Sequence, residues 1–427
     1  MNSSPNAWVL CTGEALPIDP GRARILRAGM LCSYLETQGY NVDFWTSNFN
    51  HAVKKHRIPA RATVTYHQSA NYRIHLLPSN GYNKNVSFAR IIDHRQIAKA
   101  FLTRAGEAPK PNILIISMPT IDLAYAGAHY AHSRNIPYIL DLRDMWPEIF
   151  YMDRSWPARQ MIKLLSSVWS VRLNWALLHA HSVVGITDAF VDWGCHRSGR
   201  QRNLDRDLAL PLAYPPKQPI IAVQETEQRR LIETGLLRPD RFQVMCIMGS
   251  ITSRSDIATV CNAVIIANEH GIPVHLVIAG SGEGLDSLSD KYSSQFIKFL
   301  GRVDEMTLQA ILRTSKVGVV PYYNSLDFQM SIPNKAIEYL SHGCPILTSL
   351  QGTLSELIRD NRIGLIYEEG DAESLANLFS CYYNNTDQLH NDSTRSMLLF
   401  NSNFSTNIVF NKYFRLVQAL VENNMDN

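Results

Sequence analysis

Lys335 and Glu338 lie three residues apart in the run Asp327–Ser355, DFQMSIPNKAIEYLSHGCPILTSLQGTLS. On a helix that spacing puts an ammonium and a carboxylate on one face. Ser331 is a residue type that caps a helix, and Pro333 is preset for a first turn, so Asn334 and Lys335 are expected among the free amides of the N-terminal end. Such an end attracts a pyrophosphate through its amides, its dipole and the lysine together, while the carboxylate one turn further on can accept hydrogen bonds from two ribose hydroxyls. For any isolated Lys–Glu pair the plain alternative is a surface ion pair on an amphipathic helix.

Other residues could share that chemistry. Gly249 ends the apolar run Phe242–Met248, where a small residue lets a phosphate approach the backbone; a simple turn glycine is the alternative. Arg254 is the cation of the following loop, GSITSRSD. GSGEG, 280–284, lacks the spacing of a dinucleotide fingerprint and reads as a turn that starts a helix. Upstream, Gly21 and Arg22 occupy the loop after the first apolar run, with Arg24 close by, and either arginine could be solvated or aimed into a cleft. Asp141, Arg143 and Asp144 end the run Tyr138–Leu142, where a structural ion pair with Arg143 is the alternative to a functional role. His51, in SNFNH, is a candidate acid or base, and a lone histidine is often structural. Asp205–Arg206–Asp207 has the form of a metal-holding Asp-x-Asp, but its irregular, charged surroundings point to a solvated surface. With no other cluster of oxygen ligands, no metal is expected.

Strands alternating with helices must hold these residues. Ala7–Thr12, a Pro/Gly/Arg loop, the helical spacing of LRAGMLCSYLETQGY and the run Val42–Trp45 begin a doubly wound sheet. The pattern continues through Ile113–Ser117, a helix over Asp122–Ser133, Tyr138–Leu142, a helix over Pro157–His179 and Ser182–Thr187. It resumes at Phe242 with strand–helix units through PILTS. In such α/β folds ligands sit beyond the carboxyl ends of the strands, where the candidates cluster. The expected domains are 1–205, a linker 206–241, a second domain 242–403, and a C-terminal helix 404–427 that returns to the first.

The chain has 427 residues, comfortable for two domains, and is 45% hydrophobic and 19% charged, which excludes disorder. A formal charge of +3 is too small for a nucleic-acid binder. None of the seven cysteines (Cys11, Cys32, Cys195, Cys246, Cys261, Cys344, Cys381) makes a C-x-x-C pair, and a reducing compartment fits their odd number. The N-terminus lacks a signal peptide's pattern and no run reaches the roughly 20 apolar residues of a membrane span, so a cytoplasmic location is expected, with any membrane contact peripheral. Arg159–His181 interleaves Arg159, Lys163 and Arg172 with Trp169, Trp175 and leucines, and could be a basic aromatic helix lying on the inner face of the cell membrane or an ordinary core helix.

The block Asp327–Ser355 resembles the signature of retaining glycosyltransferases of family 4, which have the fold called GT-B. The resemblance is strongest to the bacterial branch that builds O-antigen, capsule and exopolysaccharide repeats, in its subset of fucosamine and fucose transferases. The matching residues are Ser331, Pro333 and Lys335, then Glu338, then Gly343 and Pro345. RARILRAGMLCSYLETQGYNVDFWTSNFNH and DLRDMWPE are similar to the branch's N-terminal signatures, so the likeness spans about residues 8–420.

The resemblance implies two facing Rossmann-like domains with a cleft between them. It also implies a nucleotide-diphosphate sugar as donor and a saccharide acceptor, lipid-linked on a polyprenyl diphosphate, with no metal or other cofactor. Lys335 and Arg254 would serve the pyrophosphate and Glu338 the ribose. By the same analogy Gly249, Ser250, Arg302 and Val303 would line the donor site and Asp144 would face the acceptor. Gly21, Arg22, Asp141 and Arg143 are the candidates for the acceptor-side cleft, and Asp144 and His51 join Lys335 and Arg254 as catalytic candidates. Three departures stand out. Met330 occupies the place of the family's first glutamate, leaving Asp327 the nearest acid, and Ser250 and Ser255 replace its phosphate-binding cations. A nucleotide-sugar 2-epimerase and a donor-binding partner subunit without activity are the alternatives.

Overall fold

Ile113–Ser117 has no polar face to offer to water, so it must be covered on both sides, as in a parallel sheet between helical layers. In the computed structural model, which describes residues 4–20, 24–85, 87–216, 222–282 and 284–425, this strand is buried from end to end. The chain divides into two units, Met1–Leu210 with Phe410–Asn427, and Pro211–Val409.

The first unit holds a seven-stranded sheet in the order Val64–His67, Tyr72–Leu77, Asn41–Ser47, Asn6–Leu10, Ile113–Ser117, Tyr138–Leu142, Ser182–Gly185. Only the edge strand Val64–His67 runs antiparallel. The strand order reverses between Asn6–Leu10 and Ile113–Ser117, the switch point at which such sheets bind ligands. Between Asn41–Ser47 and Ile113–Ser117 lie elements the sequence pattern did not foretell, among them the strands Val64–His67 and Tyr72–Leu77 and the helix Phe88–Ala105, whose N-cap Ser87 accepts from the Arg90 amide at 3.3 Å. Beneath them the Trp8 indole donates to Asp43 at 3.1 Å, and Arg73 and His75 converge on the same carboxylate. The last helix, Thr406–Met425, packs Phe410 on Tyr34 and Phe414 on Tyr40 at centroid distances of 5.9 and 6.0 Å.

The second unit has a six-stranded parallel sheet, ordered Ile297–Phe299, Val274–Gly282, Phe242–Ile251, Val317–Val320, Ile346–Thr348, Gly364–Ile366. Its switch point lies between Phe242–Ile251 and Val317–Val320. The segment 206–241, expected as a linker, is largely part of this unit: it carries the helix Ala222–Glu233, and Leu231 and Leu237 are buried in the second core. The reason is the apolar spacing of Leu231, Ile232, Leu236 and Leu237, which the neighbouring Pro- and charge-rich stretches mask.

Candidate functional site

The helix Asn334–Ser341 is set by its underside. Tyr339 reaches beneath the sheet, accepting from the Ile247 amide at 2.8 Å and donating to the Val319 carbonyl at 3.2 Å. Gly318 makes room for it, since a Cβ there would stand 2.2 Å from the tyrosine ring. With that face pinned, Lys335 and Glu338 fall on another side of the helix, and Lys335 Nζ lies 3.2 and 3.1 Å from the two Glu338 oxygens. Lys335 is 14% exposed and Glu338 0%. The carboxylate expected to face a ribose is therefore buried beneath the lysine, because the flexible lysine stem folds back over its i+3 neighbour.

Ser331 does not cap this helix. Pro333 occupies the N-cap, and the Ser331 hydroxyl donates to Phe328 at 3.3 Å, closing the preceding short helix Leu326–Gln329. A proline at the cap leaves the Asn334 and Lys335 amides without a side-chain acceptor from that position. Gly249 lies at an irregularity of the strand Phe242–Ile251, where its register with Val274–Gly282 shifts between Ile247 and Ser250. A Cβ on Gly249 would meet only Lys335 Cε, at 4.0 Å. The protein itself thus does not require a glycine here, whereas Gly280 and Gly282 are required: their Cβ atoms would stand 2.0 and 1.9 Å from the carbonyls of Met248 and Ile251. Gly280 and Gly282 therefore serve strand packing, and Gly284, with φ +82°, starts the next helix.

Arg254 is already engaged. Its Nη2 donates to Asp327 Oδ1 and Ser325 Oγ, each at 2.5 Å, and its guanidinium lies 4.3 Å from the centre of the Phe328 ring, which stacks on Tyr322. The cation expected to serve a pyrophosphate is therefore partly neutralised by Asp327, the acid nearest the position of the missing glutamate. Ser325, Phe328 and Tyr322 were not singled out by sequence; the Ser325-x-Asp327 spacing was the available signal. Arg302 is exposed and Val303 packs against the second core, in the turn where Gly301 accepts from the Gly280 amide at 2.8 Å. The Ser250 side chain, like Gly21 and Arg22, lies outside the described residues.

In the first unit, Asp141 is buried and Arg143 half-buried, and both are engaged. Asp141 receives Arg27 Nε at 2.9 Å and Nη2 at 3.2 Å with both side chains buried, and Arg143 pairs with Glu14 and donates to Cys11 Sγ at 2.9 Å. Burial works against the Arg143 charge, but Cys11, Glu14 and Asp141 overcome it and hold its pKa well above the usual value. These residues hold the carboxyl ends of the sheet together. Asp144 is half-buried near Arg90, whose guanidinium lies 4.7 Å from the centre of the Trp146 ring. His51 Nδ1 lies 2.6 Å from the Tyr82 hydroxyl and accepts from Lys54 at 3.2 Å. Burial, with Lys54 and Arg90 adding to it, lowers its pKa to about 4, so it is neutral near pH 7.

Asp207 is not solvated. It is fully buried, bound by Arg200 at 2.9 Å and by the amides of Val183 and Asn203 at 2.8 Å each. Among the described residues no group of three or more His, Cys, Asp or Glu could hold a metal. Arg159–His181 forms two helices, Trp156–Leu165 and Ser167–Leu178. Its Trp169 donates to Asp122 at 3.2 Å and its Trp175 stacks on His179 at 4.4 Å, so these tryptophans are committed within the protein. No helix among the described residues is long and apolar enough to cross a membrane.

Comparison with known proteins agrees with this architecture. The chain is similar to sucrose-phosphate synthase from Thermosynechococcus elongatus (15% identity, TM-score 0.72, covering 97% of this chain and 99% of that one). It is also similar to HepE from Anabaena in complex with UDP-glucose (12%, 0.63, 97% and 99%) and to WaaG, a glycosyltransferase involved in lipopolysaccharide biosynthesis (12%, 0.60, 93% and 95%). A search of curated proteins found no match. Residues 243–385, which include Gly249, Lys335 and Glu338, match the family model described as glycosyl transferases group 1. The fold is therefore that of the GT-B glycosyltransferases, with two Rossmann-like domains.

Proposed function

We propose that this protein is a retaining glycosyltransferase that moves a sugar from a nucleotide diphosphate to a saccharide acceptor carried on a polyprenyl-diphosphate lipid, in bacterial surface polysaccharide synthesis. The observation that carries the reading is the meeting of Gly249, Lys335 and Glu338 at the switch point of the second sheet, within the segment similar to group 1 glycosyltransferases. HepE was solved with UDP-glucose and WaaG takes part in lipopolysaccharide synthesis, which supports a nucleotide-sugar donor and a surface glycan product.

In this reading the donor diphosphate sits over Gly249, where a side chain is absent, and draws Lys335 Nζ toward it. Glu338, relieved of its lysine, accepts from the ribose hydroxyls. Arg254 exchanges part of its contact with Asp327 for a phosphate oxygen, and Arg302 and Val303 border the base. The bond from the anomeric carbon to the diphosphate oxygen breaks as the acceptor hydroxyl attacks on the same face, and the acceptor's proton passes to the leaving diphosphate. Charge grows on that group, so cations and helix amides that tighten there lower the barrier without a metal. His51 and Asp144 are the acceptor-side candidates, and the enzyme works in the cytoplasm on the inner face of the membrane.

A donor-binding subunit without activity is the second reading, favoured by one observation: both candidate phosphate cations are already paired with carboxylates. A screen of labelled nucleotide-sugars against purified protein, with and without acceptor lipid, separates the two. Labelled glycolipid with retained configuration is expected. Donor binding without any transfer supports the second reading, and a free epimerised sugar nucleotide would replace both.

A further inference from the structure

Met161, Leu164 and Leu165 share one face of the helix Trp156–Leu165 at i, i+3 and i+4, and Val168 follows at i+7 beyond the turn at Ser166. They run along the helix Trp156–Leu165 into the start of Ser167–Leu178, and the first of these helices has no buried residue at all. Leu164 and Leu165 are 75% and 74% exposed, and Trp156, at the N-terminal end, 73%. Isolated exposed leucines are ordinary on a soluble protein; four exposed apolar side chains at helical spacing are not. The helix also has a second face. Arg159 and Lys163 are exposed on it and Arg154 precedes it, while Asp153 is the only acid in residues 153–178.

We propose that this stripe seats on an anionic lipid bilayer, with Met161, Leu164, Leu165 and Val168 at the boundary between headgroups and acyl chains, and Trp156, which shares the face of Arg159 and Lys163, among the headgroups with Arg154, Arg159 and Lys163 against lipid phosphates. The charge pattern selects this occupant. A second copy of the chain would bring three cations against their own equals, whereas a bilayer offers apolar depth and negative charge side by side. The surface differs from the one expected from sequence, because Trp169 and Trp175 are half-buried and engaged with Asp122 and His179. The inference deepens the proposed function by naming the membrane-facing surface. It rests on that reading only for the lipid-borne acceptor, and binding measured without donor or acceptor is independent of whether transfer occurs.

The test is co-sedimentation of the full chain with neutral phosphatidylcholine vesicles and with vesicles mixed with phosphatidylglycerol. Tighter partitioning to the mixed vesicles is expected. L164Q/L165Q should weaken it by at least about tenfold on both, as two buried leucine side chains are lost. R159Q/K163Q should weaken it by about fivefold per cation on the mixed vesicles and leave binding to neutral ones unchanged. All four positions are exposed, so circular dichroism and melting should not move. A parent protein that ignores anionic vesicles would overturn the proposal, and so would leucine variants that bind like the parent. Concentration-dependent self-association in sedimentation velocity, abolished by L164Q/L165Q, would overturn it by making the stripe a dimer face.

Discussion

Replacing Lys335 with methionine keeps a stem of similar length and removes the ammonium that faces both oxygens of Glu338 at 3.1 and 3.2 Å. Glu338 is 0% exposed, so its carboxylate loses the cation of a buried pair, a change that costs about 3–5 kcal/mol. The lysine's 14% exposure lets water compensate in part, which points to the lower end, about 3 kcal/mol. For a unit the size of Pro211–Val409, at about 2–4 °C per kcal/mol, the melting midpoint should fall by about 6–12 °C. Glu338→Gln removes the buried charge itself and should cost only about 1 kcal/mol. The double variant should then be more stable than Lys335→Met alone, with a coupling of about 2 kcal/mol. Scanning calorimetry of the four proteins measures this cycle. Calorimetric donor binding and turnover, taken where all four are folded, measure the rest. Loss of Lys335 should lower kcat at saturating donor more than it weakens donor affinity, because its contact strengthens as the diphosphate departs. A Lys335→Met protein that melts within about 1 °C of the parent and turns over within about twofold would refute both the buried pair and the phosphate role.

Gly249→Ala should melt within about 0.5 kcal/mol of the parent, since a Cβ there meets only Lys335 Cε at 4.0 Å, yet it should bind nucleotide-sugar more weakly; unchanged affinity in titration calorimetry would remove Gly249 from the donor site. Transfer activity should survive exhaustive chelation, and a loss restored by magnesium or manganese would redirect the search for ligands to acids outside the present site. His51 and His94 are pushed by burial, with neighbouring cations adding to it, to about 4 and about 3 from an ordinary 6.5. The unfolded chain therefore binds more protons than the native one below pH 6.5, and the stability these residues supply, full above that pH, drains away as pH falls through 4. Thermal midpoints of the parent should decline across that window and those of His94→Gln less steeply; parallel curves would contradict the assignment.

Much of the architecture was legible in the sequence because it rests on local pattern. Apolar runs such as Ile113–Ser117 and Tyr138–Leu142 can only be strands covered on both faces, and their alternation with helices leads to doubly wound sheets. The three-residue spacing of Lys335 and Glu338 likewise put them on one helix face before any tertiary contact was known. The sequence did not reveal where side chains turn once packed. Tyr339, held by Ile247 and Val319, fixes the rotation of the lysine helix, and that rotation buries Glu338. Pro333 takes the cap that Ser331 was expected to fill, because the helix begins at Asn334 and leaves Ser331 two residues short of that cap, in the turn that closes the preceding short helix. Asp141 and Arg143 sit at a strand end that suits catalysis, yet Arg27 and Glu14, 114 and 129 residues away along the chain, claim them for the core. Spacing along a chain determines which residues share a face. For buried charges such as Asp141 and Asp207, the partner that neutralises them is decided by tertiary packing, since the cost of burying an unpaired ion far exceeds any local preference.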